Sequence, residues 1–364
     1  MTTKRNNQYI PDTAMHPGVM VEEYLEGLDM SQAEFAIRTG LSPKTINEII
    51  QGKSSITPAT ALKFEKVLGR PAHFWNNLEI NYQEDKAREV ERISLGADIE
   101  WLKHIPTKEL LARGCVTPSM ENDTFALLQA TLSFFGVASV KAWMSQWDNP
   151  ALAARCSLTA NTDKYVLAAW VRQGEVQAAK IKLGSFDKEQ FKRALLDIRT
   201  LTNENPNDFI YKMRTLCATA GVALAFIPEM KKAPWSGATK WLAPNKPLII
   251  LSLLGKGEDK FWFTFFHEAK HVLEEDNKKK LSINGGQAAK MERTPTEMRA
   301  DNYAAETLIP SKYNDEIARA SSKKKIEQIA AELDIAPGIV AERYQHLTKN
   351  WNMFHGLIRK FKWV

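Results

Sequence analysis

Two histidines four residues apart, with a glutamate directly after the first, constrain this chain more than any other feature. They form the run His267-Glu268-Ala269-Lys270-His271, between the apolar stretch Phe261-Trp-Phe-Thr-Phe-Phe266 and Val272-Leu273. Residues four apart share one face of an α-helix, so a helix here brings both imidazoles to a single Zn²⁺. Glu268 then stands beside the ion, where a carboxylate can take a proton from a water. Either histidine alone is most often a solvated or satisfied side chain; the pair with its glutamate is the pattern of a metal site. A further carboxylate pair follows in Glu297-Met-Arg-Ala-Asp301. Glu297 is expected as third ligand. Asp301, on the same helical face, is expected to accept a hydrogen bond from the other ring nitrogen of a ligand histidine. Three protein ligands leave a position for water, the mark of catalytic rather than structural zinc.

The rest of the composition sets bounds. A chain of 364 residues exceeds one ordinary domain. With 44% hydrophobic and 25% charged residues it reads as globular, and its net charge of +6 permits a polyanionic partner without requiring one. Cys115, Cys156 and Cys217 are odd in number and unpatterned, which excludes a disulfide framework and a thiolate metal site and fits a reducing compartment. The start, Met1-Thr-Thr-Lys-Arg-Asn-Asn7, lacks an apolar run, and Leu248–Leu254 is too short to span a bilayer. A cytoplasmic protein with no membrane partner is expected.

Punctuation along the chain suggests four segments. Residues 1–82 hold short helices: Val19 to Leu28, one capped by Ser31 and ending at Thr39-Gly40, one opened by Ser42-Pro43 and closing at Gly52, and one opened by Thr57-Pro58 and ending at Gly69. Residues 83–97 are a charged helical connector. Residues 98–220 show amphipathic helical patterns, among them Phe125 to Trp147, Tyr165 to Ile181 and Lys188 to Leu201. From 221 to 364 the texture changes. Strands are expected at Val222–Ile227, Ala238–Leu242 and Pro247–Leu253, then the histidine helix from Phe261 to Glu274. Asp276 to Thr294 reads as a surface loop, a helix resumes near Thr296, and the end is helical and basic.

Phe263-Thr-Phe-Phe-His-Glu-Ala-Lys-His-Val-Leu273 and Glu297-Met-Arg-Ala-Asp-Asn-Tyr-Ala-Ala-Glu-Thr-Leu-Ile-Pro310 resemble the ImmA/IrrE metallopeptidases. Gly221–Pro228, Ser236–Leu242 and Ile335–His346 extend the likeness from about residue 100 to the end. The resemblance implies a small α+β zincin-like domain with a short sheet. His267, His271 and Glu297 would bind zinc, Glu268 would be general base, and the ion would bring the pKa of its water towards ~7. Lys270 departs from the glycine that family members often carry there. An oxyanion donor is needed, and His346 and Tyr303 are candidates beside their reading as a surface and a packed side chain.

Residues 31–51 fit a helix-turn-helix: Phe35 and Ala36 pack, Gly40 turns, and Ile46, Ile49 and Ile50 face inward. Lys44, Thr45, Asn47 and Glu48 are left on the outer face of the second helix, where such motifs meet base edges. Gln32, Arg38 and Lys53 are candidate phosphate contacts. A four-helix bundle for protein contact has the same periodicity. His16-Pro-Gly-Val-Met-Val-Glu-Glu-Tyr-Leu25 through Ile56-Thr-Pro-Ala-Thr-Ala-Leu62 to Phe74-Trp-Asn-Asn-Leu78 is similar to the HigA branch of XRE-type regulators, which implies an autorepressing antitoxin. The fold class expected is therefore mainly α: an all-α helix-turn-helix domain, a helical middle region and a C-terminal metallopeptidase domain. Expected partners are double-stranded operator DNA, a toxin or repressor as protein partner, and a second copy in a homodimer. Two functions follow: a regulator whose zinc peptidase cuts a regulatory protein, or a non-proteolytic antitoxin whose zincin-like half only grips a toxin.

Overall fold

Side-chain caps, three of them followed by proline, set the starts of the first four helices. In a computed structural model that describes residues 15–147, 163–233, 235–274, 281–285 and 294–362, Ser31 Oγ accepts from the Glu34 amide, Ser42 Oγ from Thr45 and Thr57 Oγ1 from Thr60. Each satisfies an amide that the first helical turn leaves without a partner. The result is α1 (Pro17–Gly27), α2 (Gln32–Thr39), α3 (Pro43–Ile50) and α4 (Pro58–Leu68), with Pro opening α1, α3 and α4. Phe35, Ala36, Ile46, Ile49, Phe64 and Trp75 close one core. The connector expected at 83–97 is the second half of a single helix, α5 (Ala72–Leu95), which begins in that core at Trp75.

The chain divides into two units, residues 1–99 and 100–364. In the second lie α6 (Thr107–Ala112), α7 (Thr124–Phe135), α8 (Val140–Trp147), α9 (Lys164–Ala178), α10 (Lys188–Thr200) and α11 (Pro206–Thr219). The stretch Thr124–Trp147 is long and apolar enough to cross a membrane by length and composition alone. Here it is two helices, because Gly136 takes the left-handed conformation (φ 69°) and stops α7. Phe135 of α7 and Trp143 of α8 then pack at 5.8 Å between ring centres.

A four-stranded sheet follows: β1 (Ala223–Phe226), β2 (Trp235–Ala243), β3 (Lys246–Leu251) and β4 (Ser282–Gly285), ordered β1-β3-β2-β4. β1 runs parallel to β3, and β2 is antiparallel to both β3 and β4. Strand β4 falls inside the stretch expected as loop; its neighbours 275–280, with Lys278–Lys280, and 286–293 lie outside the described residues, as do residues 1–14 and Cys156. Near-continuous burial of β1 and β3 means that helices cover both faces. On one side α9 approaches so closely that a Cβ on Gly174 would meet Ile250 Cδ1 at 2.4 Å. On the other side, Ile249 and Leu251 join Trp262 of α12 (Glu258–Leu273). Because α9, α10 and α11 supply this packing, no boundary at 220/221 separates two units. The same core takes in α13 (Pro295–Leu308), α14 (Asn314–Ala318), α15 (Lys323–Leu333) and α16 (Pro337–Thr348).

The C-terminal tail is tied to the start of α12. Arg359 donates to the fully buried Glu258 (Nε to Oε2, 2.6 Å) and its guanidinium also reaches the carbonyls of Glu204 (3.0 Å) and Thr202. Removing one partner of a buried ion pair strands the other charge. Arg359→Ala is expected to cost about 3 kcal/mol or more. Urea denaturation against wild type checks it, and an unchanged midpoint would contradict the tie.

Candidate metal centre and nucleic-acid interface

Helix α12 is wrapped in core, and its histidine face is as buried as its aromatic one. His267 and His271 are each 2% exposed, and Glu268 is fully buried. The four-residue spacing brings His267 Nε2 and His271 Nε2 to 3.1 Å. Helix α13 supplies the carboxylate. Glu297 Oε2 lies 3.1 Å from His267 Nε2, and Glu297 Oε1 lies 3.4 Å from His271 Nε2. One turn on, Asp301 Oδ1 sits 2.9 Å from His267 Nδ1. The α13 phase follows from its cap, Thr294 Oγ1 accepting from the Glu297 amide at 3.3 Å.

Does this cluster fit a zinc ion? Tetrahedral zinc with bonds of about 2.0–2.1 Å sets its ligand atoms about 3.3 Å apart. The three separations observed are 3.1, 3.1 and 3.4 Å. Two ring nitrogens facing each other at 3.1 Å require a proton or a cation between them. Asp301 on Nδ1 favours the tautomer of His267 that turns the Nε2 lone pair to the cluster. The residues fit the ion.

The sheet organises Glu268 and Glu297 together. Thr239 on β2 is paired opposite Ser282 on β4, so both side chains point to one face. Thr239 Oγ1 donates to Glu268 Oε2 at 2.7 Å, and Ser282 Oγ donates to Glu297 Oε1 at 3.4 Å. Gly237 makes the approach possible, since a Cβ there would stand 2.5 Å from Thr264 Cγ2 and 2.9 Å from Glu268 Cγ. None of these three was singled out as a site residue; only the Ser236–Leu242 likeness pointed towards two of them. Glu268 Oε1 and His271 Nδ1 have no hydrogen-bond partner among the described residues. His346 is held by Glu342 at 2.8 Å, and Tyr303 is half-buried; neither hydrogen-bonds to the cluster. Lys270 is half-buried, with its ammonium 5.5 Å from the Tyr303 ring centre.

Charge follows burial. Desolvation opposes a charged His267, but hydrogen bonds to Asp301 and Glu297 overcome it and raise its pKa to about 10. Desolvation also opposes ionised Glu297, yet the two imidazoles hold its carboxyl well below the usual range. Burial pushes Glu268 up, partly offset by both histidines and Thr239.

The exposed face of α3 carries the other candidates. Lys44, Asn47 and Gln51 recur on one side, opposite the buried Ile46 and Ile49. Gln51, absent from the expected set, joins two that were in it. It donates to Asn47 Oδ1 at 2.9 Å and accepts from Lys53 Nζ at 2.7 Å. The signal was the i,i+4 spacing of Asn47 and Gln51. Gln32, Arg38, Lys44, Asn47 and Lys53 are exposed. Arg38 is paired with Glu34, and Lys44 lies 3.8 Å from Glu48. Thr45 is half-buried with its hydroxyl 2.8 Å from Ser42 Oγ, so it serves the cap.

A pH dependence follows for the metal-free protein. The raised pKa of His267 gives stability complete below its ordinary value of 6.5 and lost as pH climbs towards about 10. The depressed pKa of Glu297 gives stability present above its ordinary 4.5 and lost in acid. Glu297→Gln should therefore lower the unfolding midpoint most between about pH 4.5 and 6.5, and progressively less up to about pH 10. Denaturation of metal-stripped wild type and variant across that range is the check; a pH-independent difference would contradict it.

Known proteins resemble the segment that carries the second of these sites, the helix-turn-helix. The helix-turn-helix family matches residues 21–75. The chain is 35% identical over 63 residues to the uncharacterized HTH-type transcriptional regulator YddM of Escherichia coli K12, covering 17% of this chain and 67% of that protein. It is 37% identical over 70 residues to virulence-associated protein I of Dichelobacter nodosus, covering 19% and 65%. A solved addiction module antidote protein of a HigA family from Coxiella burnetii shows 32% identity, with 24% of this chain and 92% of that one covered and a TM-score of 0.22. The chain thus spans about two thirds of the length of these curated relatives. Through α1 to α5, it belongs to the XRE-type helix-turn-helix family.

Proposed function

We propose that this protein is an antitoxin-like transcriptional regulator that holds operator DNA with α2 and α3 and carries a zinc-dependent peptidase acting on a regulatory protein partner. The observation that carries the enzymatic half is the convergence of His267 Nε2, His271 Nε2 and the Glu297 carboxylate beside a buried Glu268. Bound there, zinc would supply a Lewis acid that polarises a peptide carbonyl and acidifies a water. The chain's own groups do the rest. Asp301 fixes the His267 ring through Nδ1. Thr239 occupies Glu268 Oε2, which leaves Oε1 as the atom to take a proton. Desolvation raises the proton affinity of that carboxylate, as a general base near neutral pH requires.

One observation favours a second reading, in which this half only grips a toxin: Glu268 is closed off from solvent. Glu268→Gln separates the two. It is expected to keep about one zinc per chain while lowering cleavage of a co-expressed operon partner about 10²–10⁴-fold. His271→Ala should lose the metal as well. Wild type that cleaves nothing, with a Glu268→Gln variant that still neutralises and represses, would leave the second reading standing.

For the DNA half, the membership in the helix-turn-helix family and the polar outer face of α3 support binding in a major groove, as a dimer on paired half-sites. Such a regulator works where DNA is, in the cytoplasm. Asn47→Ala is expected to cost about 1–3 kcal/mol on the operator and little on random duplex, since amide side chains read adenine edges. Lys44→Ala should weaken both alike. Mobility shifts on the protein's own promoter check this; equal losses on both duplexes for Asn47→Ala would remove it from base reading.

A further inference from the structure

Behind the histidine helix lies a cavity of about 630 Å³, separate from the ligand cluster and bordered by α10, α12 and α13. Its rim carries four cations, Lys188, Lys192, Arg193 and Lys270, against one carboxylate, Glu189. Two of the four are partly answered. Lys192 pairs with Glu189 at 2.7 Å, and Lys270 with Glu274 at 3.4 Å. Among the described residues, Lys188 and Arg193 have no acidic partner. The surplus positive charge surrounds a concavity, which concentrates the field on whatever enters.

The floor differs from the rim. Leu196 is 65% exposed on a helix face otherwise charged, and Leu273 closes the cavity from α12. The half-buried Tyr303 ring lines the same cavity, with the Lys270 ammonium 5.5 Å from its centre. A ring with a cation against it, beside an exposed leucine, is a platform for a second flat ring. The volume lies within the roughly 300–1,000 Å³ of small-ligand sites. An acidic peptide would answer the charge but would make no use of the ring and leucine floor.

We propose that this cavity binds a small nucleotide-class ligand, its base on Tyr303 and Leu196 and its phosphate among Lys188, Lys192 and Arg193. The site is independent of the metal reading, because none of its residues belongs to the His267, His271 and Glu297 cluster. The test is calorimetric titration of the full chain with adenosine monophosphate, adenosine and inorganic phosphate, each with and without a chelator. Adenosine monophosphate should bind at least about tenfold more tightly than either fragment, with or without chelator. Reversing charge at Lys192→Glu with Arg193→Glu, both on the surface, should weaken it at least about tenfold at unchanged zinc content. Tyr303→Leu should weaken the mononucleotide and leave phosphate alone. No saturable binding, binding indifferent to the charge reversal, inorganic phosphate binding as well as the mononucleotide, or an acidic peptide binding there that the mononucleotide does not displace would each overturn the proposal.

Discussion

Burying two imidazoles and a carboxylate inside an aromatic core is the constraint on which the second unit depends. Twelve of the sixteen residues of α12 are buried, and three of these are His267, Glu268 and His271. Polar groups taken out of water are tolerable only where partners meet them. Here the partners come from two other elements, Glu297 and Asp301 from α13 and Thr239 from β2, and Ser282 of β4 donates in turn to Glu297. Each of those elements is thereby held in register. A one-residue slip of β2 would turn Thr239 to the opposite face and put a side chain where Gly237 now admits Glu268. A quarter-turn of α13 would lose both carboxylates together.

The two units solve different problems. The first is assembled from local signals, caps and turns a few residues apart, and its core closes within about sixty residues of chain. The second is assembled across the chain. Arg199 on α10 caps the carbonyl ends of two distant helices, reaching Thr307, Leu308 and Leu333. Helix α12 is the axis of that assembly, with the sheet on one side and α13 and α16 on others. The proposed chemistry faces the histidine side, and the basic cavity touches the same helix through Lys270 and Leu273.

Legibility followed the range of the interactions. The caps Ser31, Ser42 and Thr57 marked helix starts that the structure keeps, because a cap is decided within three residues. The His267/His271 and Glu297/Asp301 spacings were readable for the same reason. Less legible were breaks and joins that depend on packing. Phe125 to Trp147 reads as one amphipathic helix, yet Gly136 divides it, and the charged 83–97 stretch continues a helix anchored by Trp75. Strand β4 has a sequence of loop character, and it becomes a strand because β2 offers its edge. Gly237, Thr239 and Ser282 are ordinary residue types whose roles exist only through contacts 15 to 31 residues away.

What the sequence determined alone is periodicity: which residues share a helical face, where caps and prolines open helices, and hence that two histidines point the same way and that α3 presents a polar outer side. The convergence of a carboxylate on that pair, of a threonine on the glutamate, and of four cations and a tyrosine on one cavity was decided by tertiary structure. Spacing specifies direction only within an element; the distance between elements is set by how their apolar faces pack.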